Sequence, residues 1–359
     1  MSLARAFLVA GLAVCALTLP GGAGAQSPLS EVVEDWLASP HADRTAPAFT
    51  HWNEDGAVPP ECANCHSSAG LIDFLGGDGS LAGMVDHPVA TGLAIDCTGC
   101  HTRAAEALSD VTFPSGVVVG GLGRSAPCMV CHQGRQSGPT LGALLEGRDP
   151  DLVAADLGFA NIHYRAAAAS LLGAEVHGGY EYPGQGYAGR FAHVPDFADC
   201  TGCHDPHRLT VATEACVACH GPVEVAAIRI SALDADGDGD LKEGVAGEVA
   251  TLHDALGHAI TTYAAEVAGT AIVYAPDAYP YFFADTDGDG RAGAAEMAYP
   301  NRYQSWTPRL LKAAYNYQFV AKEPGIHAHN PRYAQQILID SLDDLAKAVP
   351  GIAGRYARP

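Results

Sequence analysis

Cys200-Thr-Gly-Cys203-His204 and Cys216-Val-Ala-Cys219-His220 are two copies of one five-residue pattern, C-x-x-C-H. Three more copies lie upstream, at Cys62/Cys65/His66, Cys97/Cys100/His101 and Cys128/Cys131/His132. The pattern is the attachment signature of a c-type haem. Two thiols at this spacing can reach both vinyl groups of one porphyrin, and the next residue holds an imidazole against the iron. The sequence therefore predicts five covalently bound haems.

Other uses of paired cysteines explain this chain less well. A structural zinc site usually combines two C-x-x-C pairs on one metal, whereas here the number of pairs is odd and histidine follows each pair at once. A redox dithiol would account for one pair, and a disulfide framework needs no histidine. Ten of the 11 cysteines lie in the five motifs, and the remaining one is Cys15.

The first 25 residues have the pattern of a secretory signal peptide. Arg5 supplies the positive charge, residues 6–19 are apolar, and Ala23-Gly-Ala25 is a small-residue cleavage site. Cys15 allows a lipoprotein signal as the alternative, but Val14 and the apolar residues after the cysteine disfavour it. No later segment is long and apolar enough to span a membrane. We therefore expect an exported protein, either periplasmic or extracellular.

Charge and composition narrow the partners and the architecture. The formal net charge is −21, from 20 Lys and Arg against 41 Asp and Glu, which excludes nucleic acid as a partner. Glycine and proline are abundant before residue 225, so this part should be rich in loops. Haems would stand in for much of its core, as metals or disulfides do in other folds with small cores.

Histidines outside the motifs are candidates for the second, distal ligand of each iron. The upstream candidates are His51, His87, His163 and His193. The first two lie 11 and 10 residues before the first cysteine of their motifs, which makes a degenerate repeat of about 35 residues. His207 follows the fourth motif too closely to reach the far side of the same haem, so it would bind a neighbouring iron or a propionate. His41 and His177 lack such context and are expected at the surface.

Helical periodicity dominates after Gly221, where no further cysteine occurs. Long helices are predicted at residues 248–268, at 307–321 and from Asn330-Pro331 onward, with Asn330 as N-cap and proline at the first helical position. His329 directly precedes this capped start, which would fix its direction, and it is the fifth distal candidate, with His327 as its competitor. Upstream, the pattern predicts short helices at 31–38, 140–147 and 165–172 and a long loop at 177–197.

Two acidic loops interrupt the C-terminal part. Asp285-Thr-Asp287-Gly-Asp289-Gly290, closed by Glu296, fits the calcium-loop pattern D-x-D-x-D-G-x5-E throughout. The other loop, Asp234-Ala-Asp236-Gly-Asp238-Gly239-Asp240, has Val245 where the closing glutamate should be, so Glu243 or Glu248 would have to substitute. Neither loop has a convincing pair of flanking helices. Structural calcium clips are therefore expected, and solvated acidic turns are the alternative.

Taken together, the motifs, the upstream histidines, the stretch 200–207 and the closing Ala328-His329-Asn330-Pro331 resemble the exported multihaem cytochromes c of respiratory bacteria. That family includes octahaem and decahaem electron carriers and subunits of cytochrome filaments. The resemblance covers residues 48–220 and 327–345, and the acidic loops depart from it. It implies ligation of each iron by two histidines, close haem packing and little regular secondary structure.

The expected protein is thus an electron carrier and not an enzyme, with five haem c groups and calcium as cofactors. Its expected fold class is mainly α with extensive coil: a signal peptide at 1–25, a haem-packed region at 26–222 and a helical C-terminal cap at 223–359. Redox partner proteins or extracellular acceptors are the expected partners, and a homo-oligomer or filament stays open. The alternative is a multihaem reductase of nitrite or hydroxylamine, with Tyr180, Tyr182 and Arg190 lining an open distal pocket.

Overall fold

Helices and irregular segments make up most of the molecule. The computed structural model describes residues 28–359, so the signal peptide predicted at 1–25 lies outside the described residues. The α-helices are α1 Pro28–Leu37, α2 Pro47–Thr50, α3 Pro60–His66, α4 Ser68–Phe74, α5 Arg103–Ala107, α6 Ala126–Cys131, α7 Gly138–Leu145, α8 Ala167–Leu172, α9 Cys200–Cys203, α10 Val217–His220, α11 Val245–Tyr263, α12 Pro308–Ala321, α13 Ile326–His329 and α14 Pro331–Ala346. This architecture confirms the prediction of a mainly α chain with extensive coil.

The strands form three small antiparallel ribbons. They are β1 Ala57–Val58 with β2 Val89–Ala90, β3 Val111–Thr112 with β4 Val118–Val119, and β5 Ile272–Tyr274 with β6 Phe282–Ala284. The second and third ribbons close short loops, whereas the first joins strands on either side of residues 59–88, and none of the three forms a layer of the fold. Among residues 28–359, no helix combines the length and the apolar composition that a bilayer span requires.

Helices α11, α12 and α14 pack against one another as a C-terminal bundle. Two of them begin with a side-chain cap followed by proline. The Thr307 hydroxyl accepts a hydrogen bond from the amide of Leu310 (3.2 Å), and the Asn330 side chain accepts one from the amide of Tyr333 (3.1 Å). The predicted N-cap at Asn330 is therefore confirmed. Such caps satisfy amides that the first turn of a helix leaves without a partner.

The bundle has a dry aromatic and aliphatic core. Twelve of the 16 residues of α14 are buried, and Trp306, Tyr315, Tyr333 and Leu338 are completely inaccessible to solvent. Burying an apolar side chain of this size stabilises a fold by about 1.5–3 kcal/mol. The bundle thus has the composition of an ordinary globular core.

The N-terminal part is built from helices of four to ten residues that carry the C-x-x-C-H motifs. Four motifs lie on α3, α6, α9 and α10, and the second begins in the 3₁₀ turn Cys97–Gly99. Helices this short are marginal without tertiary support. Apart from the residues that join the main core, their apolar contacts are small clusters, such as Phe49 with Ala94 and Ile95. These helices therefore depend on what fills the space between them.

The loop predicted at 177–197 joins the two parts. It is irregular as far as the 3₁₀ turn Pro195–Phe197, and its backbone is bonded to the bundle. The Asn316 side chain accepts from the amide of Tyr180 (2.7 Å) and donates to its carbonyl (2.9 Å). The Tyr315 hydroxyl donates to the carbonyl of Gly178 (2.7 Å), and Gln336 accepts from the amide of Ala188 (2.7 Å). The bundle thereby holds a loop that borders the motif region.

Candidate functional site

The motifs surround one large cavity between the short helices and the bundle. Its volume is 3180 Å³, several times the roughly 300–1,000 Å³ of an ordinary small-molecule site. All five motif histidines and nine of the ten motif cysteines line it, with Cys219 as the exception. The described cysteines form no disulfide, so their thiols remain available. A cavity of this size with this lining fits several large cofactors.

Each motif histidine faces a second histidine across the cavity. The ring centroids lie 5.9 Å apart for His66 and His163, 6.3 Å for His101 and His207, 6.3 Å for His132 and His41, 6.2 Å for His204 and His329, and 6.1 Å for His220 and His193. An imidazole nitrogen binds a metal ion at about 2.0–2.1 Å and lies about 1.1 Å from its ring centroid, so two axial imidazoles on one ion have centroids about 6.2 Å apart. All five separations match this value, and the residues therefore fit haem iron.

Four of the predicted distal candidates lie in such pairs. His163, His193 and His329 each face a motif histidine, and so does His207, which the sequence had offered as a ligand to a neighbouring haem. The pairing does not follow chain order, because His163 faces the first motif and His207 faces the second. Spacing along the sequence therefore does not indicate which motif each one serves.

The repeat-based candidates His51 and His87 are not brought opposite a motif histidine. His51 lines the cavity but packs edge-on against Trp52, with ring centroids 4.8 Å apart, and Trp52 separates it from the ring of His66. His87 is exposed, and its Nδ1 lies 2.5 Å from Asp86 and 3.2 Å from Asp73. The similar offsets before the first two motifs thus do not bring either histidine opposite a motif imidazole.

His41 faces the histidine of the third motif, although the sequence did not identify it as a distal candidate. It was expected at the surface, yet it is half-buried and faces His132, 91 residues further along the chain. Its carbonyl accepts a hydrogen bond from the amide of Ile95 (3.1 Å), which fixes the loop between α1 and α2 against the second motif. No local spacing could have revealed this residue, because it lies well before the first motif and serves the third.

Hydrogen bonds to Nδ1 orient several of these rings. His66 Nδ1 is 2.7 Å from the carbonyl of Ala48, and His132 Nδ1 is 3.0 Å from the carbonyl of Arg165. His329 differs, because its Nδ1 is 3.0 Å from Oε2 of the buried Glu323. A ligating histidine commonly donates one ring N–H to such a partner, which leaves the other nitrogen, here Nε2, for the metal.

Two of the rings that face a motif histidine, those of His41 and His163, have lowered pKa values, which favour the neutral form that binds metal. Burial, and next the charge of the facing His132, lower the pKa of His41 to about 4. Burial and the facing His66 likewise lower the pKa of His163 to about 4. His329 is the exception, since the carboxylate of Glu323 more than offsets burial and its pKa is raised. Neutral imidazole is the metal-ligating form of histidine.

Neighbouring motifs contact each other through their cysteines. Cys65 Sγ lies 3.7 Å from the carbonyl of Val130, and Cys131 Sγ lies 3.6 Å from the carbonyl of Asn64, which places α3 and α6 side by side. The amide of Cys200 donates to the hydroxyl of Ser125 (3.1 Å), next to the third motif. The first, third and fourth motifs therefore form a contiguous group.

Charged side chains of both signs line the cavity. Five of them are arginines: Arg124, Arg135, Arg165, Arg229 and Arg332. Guanidinium groups pair well with carboxylates, and haem carries propionate carboxylates on its edge. Seven Asp and Glu residues line the cavity as well, so the arginines fit the propionates without giving the lining an excess of positive charge.

The three residues named for the alternative, a reductase pocket, do not line the cavity. The Tyr182 hydroxyl is 3.2 Å from that of Ser341 in α14, and the backbone amide of Tyr180 donates to Asn316. Arg190 forms an ion pair with Glu175 (2.8 Å). The structure therefore gives no support to that alternative at these residues.

The acidic loops form two groups of carboxylates. In the loop 285–296, ligand oxygens of Asp285, Asp287 and Asp289 lie within 4.8 Å of one another, while Glu296 accepts hydrogen bonds from the amides of Thr286 (2.6 Å) and Gly293 (3.0 Å). Asp240, predicted as a ligand in the other loop, belongs to neither carboxylate group there.

The loop at 234–240 gathers further carboxylates. Asp236 forms one group with Asp234 and Glu248 and another with Asp238 and Glu243, each with oxygens within 4.8 Å. Burial, and next the charges of Asp236 and Asp238, raise the pKa of Glu243 to about 7. Both glutamates that the sequence offered in place of Val245 therefore lie at this loop.

Comparison with known proteins finds similarity to C-type polyheme cytochromes, which agrees with the motifs and the facing histidines. The C-type polyheme cytochrome OmcB of Geobacter sulfurreducens is 27% identical over 369 aligned positions, which cover 84% of this chain and 46% of the relative. The C-type polyheme cytochrome OmcC of the same species is 28% identical over 381 positions, which cover 87% and 46%. The chain thus spans about half the length of these relatives. It matches no protein-family model and no solved structure.

Proposed function

We propose that this protein transfers electrons through five covalently attached c-type haems, each ligated by two histidines. The proposed ligand pairs are His66 with His163, His101 with His207, His132 with His41, His204 with His329, and His220 with His193. The main support for this proposal is that the ring centroids of all five pairs lie between 5.9 and 6.3 Å apart. Electron transfer in general is also what the similarity to polyhaem cytochromes supports.

The chain's own groups would hold, orient and insulate the cofactors. Haem c supplies reversible one-electron exchange at its iron when it is bound. The ten motif thiols would form the thioether bonds, and the paired imidazoles would hold the iron, which would exclude small ligands. The lining arginines would pair with the propionates of the haems. Within residues 28–359, every motif histidine has a facing imidazole, so the electron carrier is favoured over the reductase.

The proposal also includes the cellular location and the partners of this activity. The signal-peptide pattern at residues 1–25 supports export to the periplasm or the cell exterior. Redox proteins or extracellular acceptors are the proposed partners. We assign the haem-binding region to residues 26–222 and the helical cap to 223–359, with His329 of the cap as one iron ligand.

Calcium is the second proposed cofactor. The loop 285–296 retains every position of the calcium-loop pattern, and three of its aspartates already converge. We propose a structural calcium clip there, bound by Asp285, Asp287, Asp289 and Glu296. The loop at 234–240 is the second proposed clip.

Substitution of distal histidines tests the central proposal. Protein made in a host with a haem-attachment system should have the intact mass of five haems and contain only low-spin iron. His41→Ala should open one haem, seen as a high-spin signal in electron paramagnetic resonance and as carbon monoxide binding. His51→Ala is the matched control and should leave both unchanged. If His51→Ala opens a haem and His41→Ala does not, the ligand set is wrong.

A further inference from the structure

The loop that departs from the calcium pattern contains buried carboxylate oxygens without a partner. Asp236 is only 6% exposed, and its Oδ2 makes no hydrogen bond in the described structure. The buried Oε1 of Glu243 likewise has none. In the loop 285–296, by contrast, the closing glutamate is already fully hydrogen-bonded. A buried carboxylate without a partner is costly, so the unsatisfied oxygens point to a missing cation.

We propose that Asp234, Asp236, Asp238 and Glu243 bind one calcium ion, with Glu243 as the closing ligand in place of Val245. The three aspartates occupy alternate positions of the loop, and Gly239 permits the turn with φ +92°. Ligand oxygens of Asp236, Asp238 and Glu243 lie within 4.8 Å of one another, which Ca–O distances of about 2.3–2.6 Å allow for one ion, and Asp234 lies within the same distance of Asp236. This assignment rests on the proposed calcium cofactor and not on the haems.

Local packing shows how Glu243 reaches the loop. It lies two residues before α11, and a Cβ at Gly247 would collide with its carboxylate. Glycine at 247 thus lets the glutamate fold back over the first turn of the helix. The sequence pattern cannot show this, because it counts positions along the loop and not the direction of the chain after it.

Glu248 has a different role beside the same loop. Its Oε2 accepts from the amide of Ala235 (2.7 Å) and from the side chain of Gln335 (3.3 Å), and its Oε1 pairs with Arg229. The ion pair with Arg229 neutralises its charge without a metal ion, although no hydrogen bond reaches its Oε1 in the described structure. Glu248 therefore fixes the loop to α11 and α14, and Glu243 is left as the carboxylate that needs a cation.

The site lies where the last motif joins the bundle. Arg229, nine residues after His220, donates to the carbonyls of Ser231 (2.9 Å) and Leu233 (2.6 Å), which lead into the loop. The amide of Ala357 near the C-terminus donates to the carbonyl of Ala235 (3.0 Å). Calcium at this point would hold the segment after the fifth motif, the start of α11 and the C-terminal residues together.

Calcium titration of the haem-loaded full chain tests the assignment. The loop 285–296 is first disabled by Asp285→Asn with Asp287→Asn. Calcium binding to the chelator-treated protein is then measured by calorimetry. One site should remain. Asp236→Asn and Glu243→Gln should each weaken it at least tenfold, whereas the control Asp240→Asn should not. Magnesium at the same concentration should compete poorly, because it requires near-octahedral geometry and retains water.

The outcomes separate this assignment from the broader proposals. If Glu243→Gln binds calcium as tightly as its parent, or if Asp240→Asn weakens binding as much, the ligand set is wrong. If the unmodified chain binds no calcium at all, the calcium cofactor itself is overturned. The visible haem spectrum of each variant reports haem binding separately, and an unchanged spectrum shows that a lost calcium site does not reflect misfolding.

Discussion

The motif region and the C-terminal bundle are stabilised in different ways. Helix α14 buries 12 of its 16 residues against protein, whereas α9 and α10, which carry the fourth and fifth motifs, contain no buried residue in the described part of the chain. The apolar faces of the bundle helices pack against other protein residues. The motif helices instead face a 3180 Å³ cavity, and their stability must come from its contents. The bundle is thus built on side-chain packing, as are the N-terminal residues that join its core, whereas α9 and α10 depend on what fills the cavity.

Preventing haem attachment should produce the largest difference in stability between the motif region and the bundle. With all ten motif cysteines replaced by alanine, we expect α9 and α10, which contain no buried residue in the described structure, to lose most of their protection from hydrogen exchange. Helices α11, α12 and α14 should keep theirs, because their core needs no cofactor. Exchange measured by mass spectrometry, peptide by peptide, distinguishes the regions. Uniform loss of protection along the chain would contradict the comparison.

A substitution that creates a cavity in the bundle should destabilise the bundle more than the motif region. Leu338 is completely buried in α14, and Leu338→Ala should cost about 2–5 kcal/mol of unfolding free energy. Chemical denaturation followed by circular dichroism should show this loss. The haem spectrum should change less, since most iron ligands lie outside the bundle. The control is Leu144→Ala on the partly exposed face of α7, which should have little effect.

Much of the bundle could be predicted because its signals are local. The apolar period of α11 and the Asn330-Pro331 start determine structure within a few residues. The motifs themselves were equally clear from local spacing. The distal ligands were not, since His41 and His132 meet only after the chain has folded around the cavity. Loop repeats suggested His51 and His87, but the side chains beside them, Trp52 and Asp86, give these residues other partners.

An ion-pair network in the bundle should make its stability depend on pH. Arg309 donates to Asp151 (2.6 Å) and to Asp344 (2.7 Å), and the bond to Arg309 lowers the pKa of Asp151. A carboxyl group whose folded pKa is depressed stabilises the fold above its unfolded pKa of about 3.9, and that contribution is lost as the pH falls through the folded value. The bundle should therefore lose stability in acid.

Arg309→Gln tests this dependence. The variant should be less stable than its parent by about 1–3 kcal/mol at pH 7, and the difference should shrink as the pH falls below 4. Denaturation at a series of pH values measures it. The exposed pair of Arg148 and Asp156 provides the control, since Arg148→Gln should cost much less than Arg309→Gln at pH 7. A difference for Arg309→Gln that does not change with pH would mean that packing, and not charge, is lost.

The smallest predicted effect concerns His329, the proposed iron ligand that lies next to the bundle. His329 is supplied by the bundle side of the cavity, and its Nδ1 is 3.0 Å from the carboxylate of Glu323, whereas His66 and His132 are bonded to backbone carbonyls. A charged acceptor forms a stronger bond with the ring N–H than a neutral one does. It makes the imidazole a better electron donor, which favours the oxidised iron. The haem held by His204 and His329 should therefore have a lower reduction potential than it would with a neutral partner.

Glu323→Gln keeps the hydrogen bond but removes the charge. If the charged bond is stronger by about 1 kcal/mol, the potential of that one haem should rise by about 40 mV, and the other four should not move. A redox titration followed by visible absorption measures the shift, with the exposed Glu54→Gln as control. His329→Ala should abolish the low-spin state of the same haem, and His327→Ala should leave it intact. If Glu323→Gln leaves all potentials unchanged while His329→Ala opens a haem, Glu323 only positions the ring, and its charge does not tune the iron.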